Sequence, residues 1–337
     1  MKERLLYIDR LKGFAIFLVV LGHLIQNNSI DHYSNSLFNI IYSFHMPFFF
    51  FLSGYVAFKT TKIDSVNSYI GYIKNKAITL LVPMLIWPLV NQFFFTNSTD
   101  YSLNSIAHIL FTQIENPGLW FLKMLFQILI IYSLFYFMSV YVNKKMSFLL
   151  DVAFYLILTF SLVLFSYLLN DKSILTFLLN FSFFMIGVFI SKFDFIKVIL
   201  EHQIITSILA ISFALLVRHF DFTQTDLGIM KGLKVVISLS AIGLFYSIAK
   251  KIVLPIWLDR YVCLMGRKSL IIYVTHFSFF SILSKSMLLP ADISFLLLLI
   301  IIMPLSIIMM SFCVGIGNLV ALLPYVNLML YGVRIKK

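Results

Sequence analysis

Long uncharged apolar stretches alternate with short polar ones along the whole chain. Ten such runs fall near 11–26, 36–58, 77–95, 118–142, 147–169, 174–191, 203–217, 232–249, 268–288 and 292–323. A hydrocarbon layer ~30 Å thick needs about 20 helical residues at ~1.5 Å each. The runs meet that length, with the first and seventh marginal. Lipid offers the backbone no water, so runs of this kind are expected to be helices that satisfy their own hydrogen bonds. The pattern predicts an all-α, polytopic membrane protein, a bundle of about ten transmembrane helices forming one domain over 1–337. The last run is too long for one plain crossing, and Pro304 or the pair Gly315 and Gly317 is the expected break. The longest outer connection, Thr96 to Pro117, is short. Continuous apolarity hides the helix faces, and no internal repeat or separate soluble segment stands out.

Composition agrees with the pattern. The chain is 61% hydrophobic and 12% charged, whereas a soluble domain carries roughly 25% charged residues. A net charge of +12 would suit nucleic acid, but the cations track the ends of the apolar runs. Only Lys123, Lys172, Arg218, Lys231, Lys234 and Lys285 fall on one side; the other 20 of the 26 Lys and Arg fall on the opposite side. By the positive-inside rule the N-terminus is cytoplasmic. The basic group Arg334, Lys336 and Lys337 returns the C-terminus there too, which requires an even number of crossings. The partner implied is a lipid bilayer, a cell membrane, and not nucleic acid. The charged start and apolar run resemble a signal peptide, but no small-residue cleavage site follows, so this is read as a retained first helix. Cys263 and Cys313 lie in different runs and suggest neither a disulfide framework nor a metal site.

An ionisable group at membrane depth is costly and marks a functional site by default. His23, His45 and His276 are such groups; His32, His108, His202 and His219 sit in or beside connections. In the first run Lys12 and His23 are eleven positions apart, so they point within about 20° of each other with ~16 Å between them along the axis. One stripe thus joins a cytoplasmic cation to an imidazole past the bilayer centre, and Gly13 and Gly22 would let a helix or ligand approach it. On the second run His45 lies at nearly the same depth as His23, so the two could share a proton or a substrate. Pro47 frees a carbonyl one turn earlier, and Ser53 and Gly54 fall deeper, near Lys12. The aromatic run Phe48 to Phe51 reads as lipid-facing bulk. Lys74 and Lys76 open the third run as topology anchors or phosphate-holding cations. Trp120 stands at the outer end of the fourth run, where a belt residue is usual. No tight histidine–carboxylate spacing implies a metal, and no P-loop or nucleophile elbow is present.

Four stretches carry a resemblance to a known family: YIDRLKGFAIFLVVLGH, ending at Lys12 and His23; YSFHMPFFFFLSGY, with His45, Ser53 and Gly54; GLWFLKMLF, with Trp120; and SLIIYVTHF, with Tyr273 and His276. Together they resemble the membrane-bound acyltransferase-3 family, and most closely its sugar O-acetylase branch of the fucose 4-O-acetylase type. The resemblance implies a ten-helix fold and transfer of an acyl group from cytoplasmic acetyl-CoA. The acceptor it implies is a hydroxyl on a glycan or lipid-linked sugar of the cell envelope, within reach of polysaccharide assembly machinery. It also implies that His23 is catalytic and that Lys12 supports it or the donor. Two departures stand out: the family's basic partner is commonly Arg, which Lys12 cannot replace as a planar bidentate group, and Thr79 stands where a second basic residue after Lys74 and Lys76 is expected.

These readings combine into an expected mechanism. Coenzyme A phosphates dock against Lys74, Lys76 and Lys12, and neutral His23 takes the acceptor's proton. His45 or Ser53 stabilises the oxyanion or orients the base. Trp120, Tyr273 and His276 are the substrate-side candidates. The competing reading is a proton-coupled transporter of a small polar solute or glycan, since histidines and a proline-broken helix also suit substrate movement.

Overall fold

The computed structural model describes residues 5–29, 31–95, 102–115, 118–142, 148–225, 227–283 and 295–334. The described chain is helical throughout: α1 Leu6–Asn28, α2 Ser36–Thr60, α3 Val66–Val90 running into a π-helical turn Asn91–Phe95, α4 Leu103–Glu115, α5 Trp120–Val142, α6 Phe148–Leu169 and α7 Ser173–Lys192. After these come α8 Asp194–Glu201, α9 Gln203–Leu216, α10 Gly228–Lys251, α11 Ile256–Arg267, α12 Ser269–Leu283, α13 Phe295–Val320 and α14 Pro324–Tyr331. Each of the ten apolar runs overlaps a helix among the described residues, but α1 and α12, the helices of the first and ninth runs, are not among those long and apolar enough to count as crossings, so the expected ten is not reached. Among the described residues seven helices are long and apolar enough to cross a membrane, and the α8–α9 pair, bent by 70°, makes up to eight. The bent pair gives the marginal seventh run its physical form.

Several expectations need correction. α3 starts eleven residues before its apolar run, because Ser65 and Ser68 form a reciprocal capping box that satisfies the first free amides. Lys74 and Lys76 therefore ride the third turn of a helix rather than opening one. The connection after Thr96 is not simply short: α4 occupies it and packs on α3. α13 is one continuous helix with Pro304 inside it, unbroken at Gly315 or Gly317. At ~1.5 Å per residue it is about 39 Å long, a length a membrane helix accommodates by tilting.

The largest correction concerns α2. Phe48, Phe50 and Phe51 are fully buried, so this aromatic run is the centre of the bundle and not its lipid face. α2 packs against α7, α1 and α10. The crossing with α7 is made by two glycines. A Cβ on Gly54 would lie 1.9 Å from the Phe184 carbonyl oxygen, and one on Gly187 would lie 2.0 Å from that of Phe51. In lipid, helices associate through close van der Waals packing rather than hydrophobic expulsion, so small residues at crossings bring the backbones together. Gly13 and Gly266 do the same where α1 meets α11: their Cβ atoms would meet the carbonyls of Val262 and Asp9 at 2.2 and 2.0 Å. The carbonyl released by Pro47, that of Ser43, accepts the Ser238 hydroxyl of α10 at 3.0 Å.

Three charged contacts tie helix ends together. Arg10 pairs with Asp259 at 2.5 Å and also donates to the carbonyls of Ala249 and Ile252, tying α1 to α10 and α11. Lys192 pairs with buried Asp151 across α6 and α7 at 2.5 Å, and Lys250 pairs with Glu201. At the other end of the sequence α14 folds back on the bundle. Its Leu330 carbonyl accepts the Trp87 indole N–H of α3 at 2.7 Å, and Tyr331 exchanges a hydrogen bond with Thr275 of α12 at 3.1 Å.

Candidate active site

α1 carries His23 into the bundle between α2 and α12. Its Nδ1 lies 3.0 Å from Gln26 Oε1, one turn along the same face. Tyr42 of α2 donates its hydroxyl to the same Gln26 oxygen at 2.8 Å and sits 3.3 Å from His23 Nδ1. With the Gln26 oxygen as shared acceptor, neutral His23 carries its proton on Nδ1 and keeps Nε2 as the basic nitrogen. Gly22 permits this approach, since a Cβ there would lie 3.0 Å from the Tyr42 ring.

The nearest imidazole to His23 is that of His276, with ring centroids 5.4 Å apart. His276 is fully buried, and its Nδ1–H donates to the Ile272 carbonyl at 2.9 Å. Its Nε2 has no hydrogen-bond partner among the described residues. His45 is placed differently from the expected direct pair with His23. Tyr42 intervenes, its ring 6.2 Å from that of His23 and 4.7 Å from that of His45. The His45 Nδ1–H is held by the Ile41 carbonyl at 2.8 Å, so His45 buttresses Tyr42. The reason is helical register: Tyr42 is the residue of α2 that faces His23, and His45 sits one turn behind it.

A cavity of about 140 Å³ lies toward the N-terminal end of α1 from the histidine pair, and Lys12, Ser53 and Tyr273 all line it with Phe49, Phe121 and Ser269. The Tyr273 ring is 6.1 Å from that of His276. Three candidates from three different helices thus share one chamber. Leu80 of α3 also lines it. Lys76 lies one helical turn before Leu80 on the same face, with its ammonium 5.3 Å from the Tyr72 ring. Lys74 is exposed. Neither lysine lines the cavity. Trp120 is 40% exposed and packs on Phe50, while its neighbour Phe121 takes the position in the wall. A second cavity, of about 230 Å³, lies further along the same helices α3 and α12 and includes Phe277, whose ring is 4.6 Å from that of His23. The two cavities lie at successive levels of α12: Tyr273 faces the first, inner cavity and Val274 and Phe277 the second, outer one.

Gln26, Tyr42 and Arg10 carry more of this geometry than their sequence signals suggested. Gln26 is three residues after His23 and Tyr42 three before His45, spacings that share a helix face. Arg10 was visible as one more topology cation. Outside the spanning helices, the Arg10 guanidinium holds the Asp259 carboxyl below the usual carboxylate range, and burial pushes the Cys263 thiol up. Among the described residues no cluster of three or more His, Cys, Asp or Glu is arranged to hold a metal ion.

A family model described as an acyltransferase domain matches residues 5–315. The chain is 42% identical over 83 residues to Nodulation protein NolL of Sinorhizobium fredii, a match covering 23% of this chain and 22% of that protein. It is 36% identical over 89 residues to Nodulation protein NolL of Mesorhizobium japonicum, covering 25% of this chain and 23% of that protein. The matched region spans less than a quarter of the length of either relative. No solved structure matches.

Proposed function

The chain belongs to the acyltransferase-3 family, whose model covers most of its length, and on that premise we propose that it moves an acetyl group from acetyl-CoA to a sugar hydroxyl at the cell membrane. The acceptor in this reading belongs to a cell-envelope or exported polysaccharide, or to its lipid-linked precursor. The observation that carries the reading is the meeting of Lys12, Ser53 and Tyr273 in one cavity toward the N-terminal end of α1 from His23 and His276.

The donor enters from the cytoplasm. Lys12 and, at the mouth, Lys76 meet its phosphates, which seek compact cations. The pantetheine arm rises past Ser53 toward Tyr273, which brings the thioester to the histidine pair. The acceptor hydroxyl hydrogen-bonds to His23 Nε2. As its oxygen bonds to the thioester carbonyl carbon, its proton passes to Nε2. The C–S bond then breaks and the proton moves on to the departing sulfur, so coenzyme A leaves as a thiol and the imidazole returns neutral. Gln26 and Tyr42 hold the ring in the one tautomer that works, as a general base must be positioned before it is useful. Partnerless His276 Nε2 accepts from a neighbouring hydroxyl of the same sugar, which orients the attacking one.

Acetyl-CoA turnover by detergent-purified protein tests this, followed as free-thiol release with and without cell-envelope glycans. Wild type should release thiol and His23→Ala should not, while both bind acetyl-CoA. Equal turnover by His23→Ala would overturn the assignment of the base. Failure of wild type to bind acetyl-CoA would overturn the reaction itself and return weight to substrate transport.

A further inference from the structure

The outer cavity is the feature the transfer chemistry leaves unassigned. Asn91, Gln92 and Gln113 place three carboxamides in its lining, beside Trp87 and Phe277. Its construction is local and specific. Pro88 lacks an N–H, and the Asn91 N–H bonds both the Pro88 and Trp87 carbonyls. The helix then widens into the π turn Asn91–Phe95, which carries both Asn91 and Gln92 at the cavity. Single π turns inside α-helices recur at functional sites. Asn91 Oδ1 is shielded from solvent and has no hydrogen-bond partner among the described residues, although an amide oxygen so placed is costly unless something donates to it. Gln113 Oε1 accepts the Gly118 N–H at 3.0 Å, which leaves its NH₂ as a donor. The Trp87 N–H is committed to Leu330, so its ring offers only apolar surface.

We infer that this cavity is an acceptor-recognition pocket for one uncharged, polyhydroxylated ring, with Asn91 and Gln113 as its specificity-determining residues. The inference rests on the acyl-transfer reading above. A carboxamide pairs with hydroxyls as donor or acceptor, whereas a lipid tail would leave the Asn91 oxygen and the Gln113 NH₂ unmatched. No charged residue lines the cavity among the described residues, so an anionic sugar would find no compensating cation; the nearby Lys123 ammonium is held by the Ile114 carbonyl at 2.6 Å. At about 230 Å³ the cavity falls below the ~300–1,000 Å³ of pockets that take drug-sized ligands, which suits a single ring at a chain end. Phe277 is the wall it shares with His23, so a ring resting there presents a hydroxyl toward the base. In the orientation set by the positive-inside bias, the end of α3 and the start of α5 are extracytoplasmic. The acceptor therefore arrives from the face opposite the donor.

The test uses Asn91→Cys and, separately, Gln113→Cys in intact cells, with wild type as background because Cys263 and Cys313 are buried. A membrane-impermeant maleimide should label both variants from outside. Envelope oligosaccharides separated by anion exchange are the probes. The neutral fraction should slow labelling at least threefold and the acidic fraction should not. Absence of outside labelling in both variants, or protection by the acidic fraction alone, or by neither fraction, would overturn the inference. In purified protein, Asn91→Leu should raise the KM for the neutral fraction about tenfold and leave acetyl-CoA binding unchanged. An unchanged KM would also overturn it. Protection without any acetyl-CoA binding by wild type would refute the acyl-transfer reading and leave the pocket standing, so the two failures are separable.

Discussion

Replacing Gln26 by Leu removes the one acceptor that serves both the His23 Nδ1–H and the Tyr42 hydroxyl. The side chain keeps its approximate volume, so packing between α1 and α2 is little disturbed. Leaving a half-buried donor unmatched costs about 1–3 kcal/mol. The ring can escape that cost by adopting the other tautomer or turning away, and both take Nε2 from the acceptor. At ~1.36 kcal/mol per tenfold, kcat should fall about 5- to 150-fold. Tyr42→Phe removes only the second donor on Gln26 and leaves the glutamine–histidine bond, so its loss should stay within about fivefold. Because Tyr42 acts through Gln26, the double variant should match Gln26→Leu rather than multiply the two effects. Gln26→Glu, which retains the acceptor oxygen, should recover much of the lost rate. The assay is steady-state thiol release at saturating glycan, with the KM for acetyl-CoA expected to be unchanged throughout. A Tyr42→Phe loss equal to that of Gln26→Leu, or multiplicative losses in the double variant, would refute this chain of positioning.

Other expectations follow from the same geometry. Lys12→Ala should raise the KM for acetyl-CoA about tenfold with a smaller effect on kcat, because a phosphate loses one charge-assisted contact of about 1.5–3 kcal/mol; thiol release at varied donor concentration checks it. Gly54→Leu should keep the protein from accumulating in the membrane, since its Cβ alone meets the Phe184 carbonyl at 1.9 Å, while Gly71→Leu, with nothing within 4 Å, should be silent; detergent-extracted yield by gel filtration reads both. Arg10→Ala should lower stability by about 1–3 kcal/mol through its lost charged-donor bonds, measured as thermal unfolding in detergent. The Asp259 carboxyl is held below its ordinary range by Arg10, so the pair stabilises above that range and its contribution disappears as pH falls through it. Asp259→Asn should remove that acid-limb loss from melting profiles recorded below pH ~4.

What the sequence made legible was whatever depends on solvent. The apolar runs announced the long helices, because such runs respond to lipid rather than to neighbours. His23, His45 and His276 stood out because ionisable residues at membrane depth are conspicuous, and Lys12 because it shares a stripe with His23. Which of them meet was not legible: apolar residues surround every helix here, so no periodicity distinguishes the inner face from the lipid face. Phe48 to Phe51 was misread as lipid-facing for that reason, and His23 was paired with His45 on depth alone when rotation about α2 puts Tyr42 in between. α4 and α11 escaped notice because helices that do not cross the membrane leave no long apolar signature. The capping box at Ser65 was readable, but the apolar run beginning eleven residues later outweighed it.

The backward fold of α14 has a bearing on how the protein is made. A membrane protein leaves the ribosome N-terminus first, and α1 through α13 are all synthesised before Leu330 and Tyr331 exist. Yet those two residues bind Trp87 of α3 and reach Thr275 of α12, the helices that wall both cavities. A nascent chain can thus insert its spanning helices while the chamber wall still lacks its last two ties. The walls of both cavities are tied together only once α14 has emerged. Quality control has a defined moment to read: a chain that stops short of Pro324 presents an unbonded indole at Trp87, a polar group in apolar surroundings that marks the molecule as unfinished.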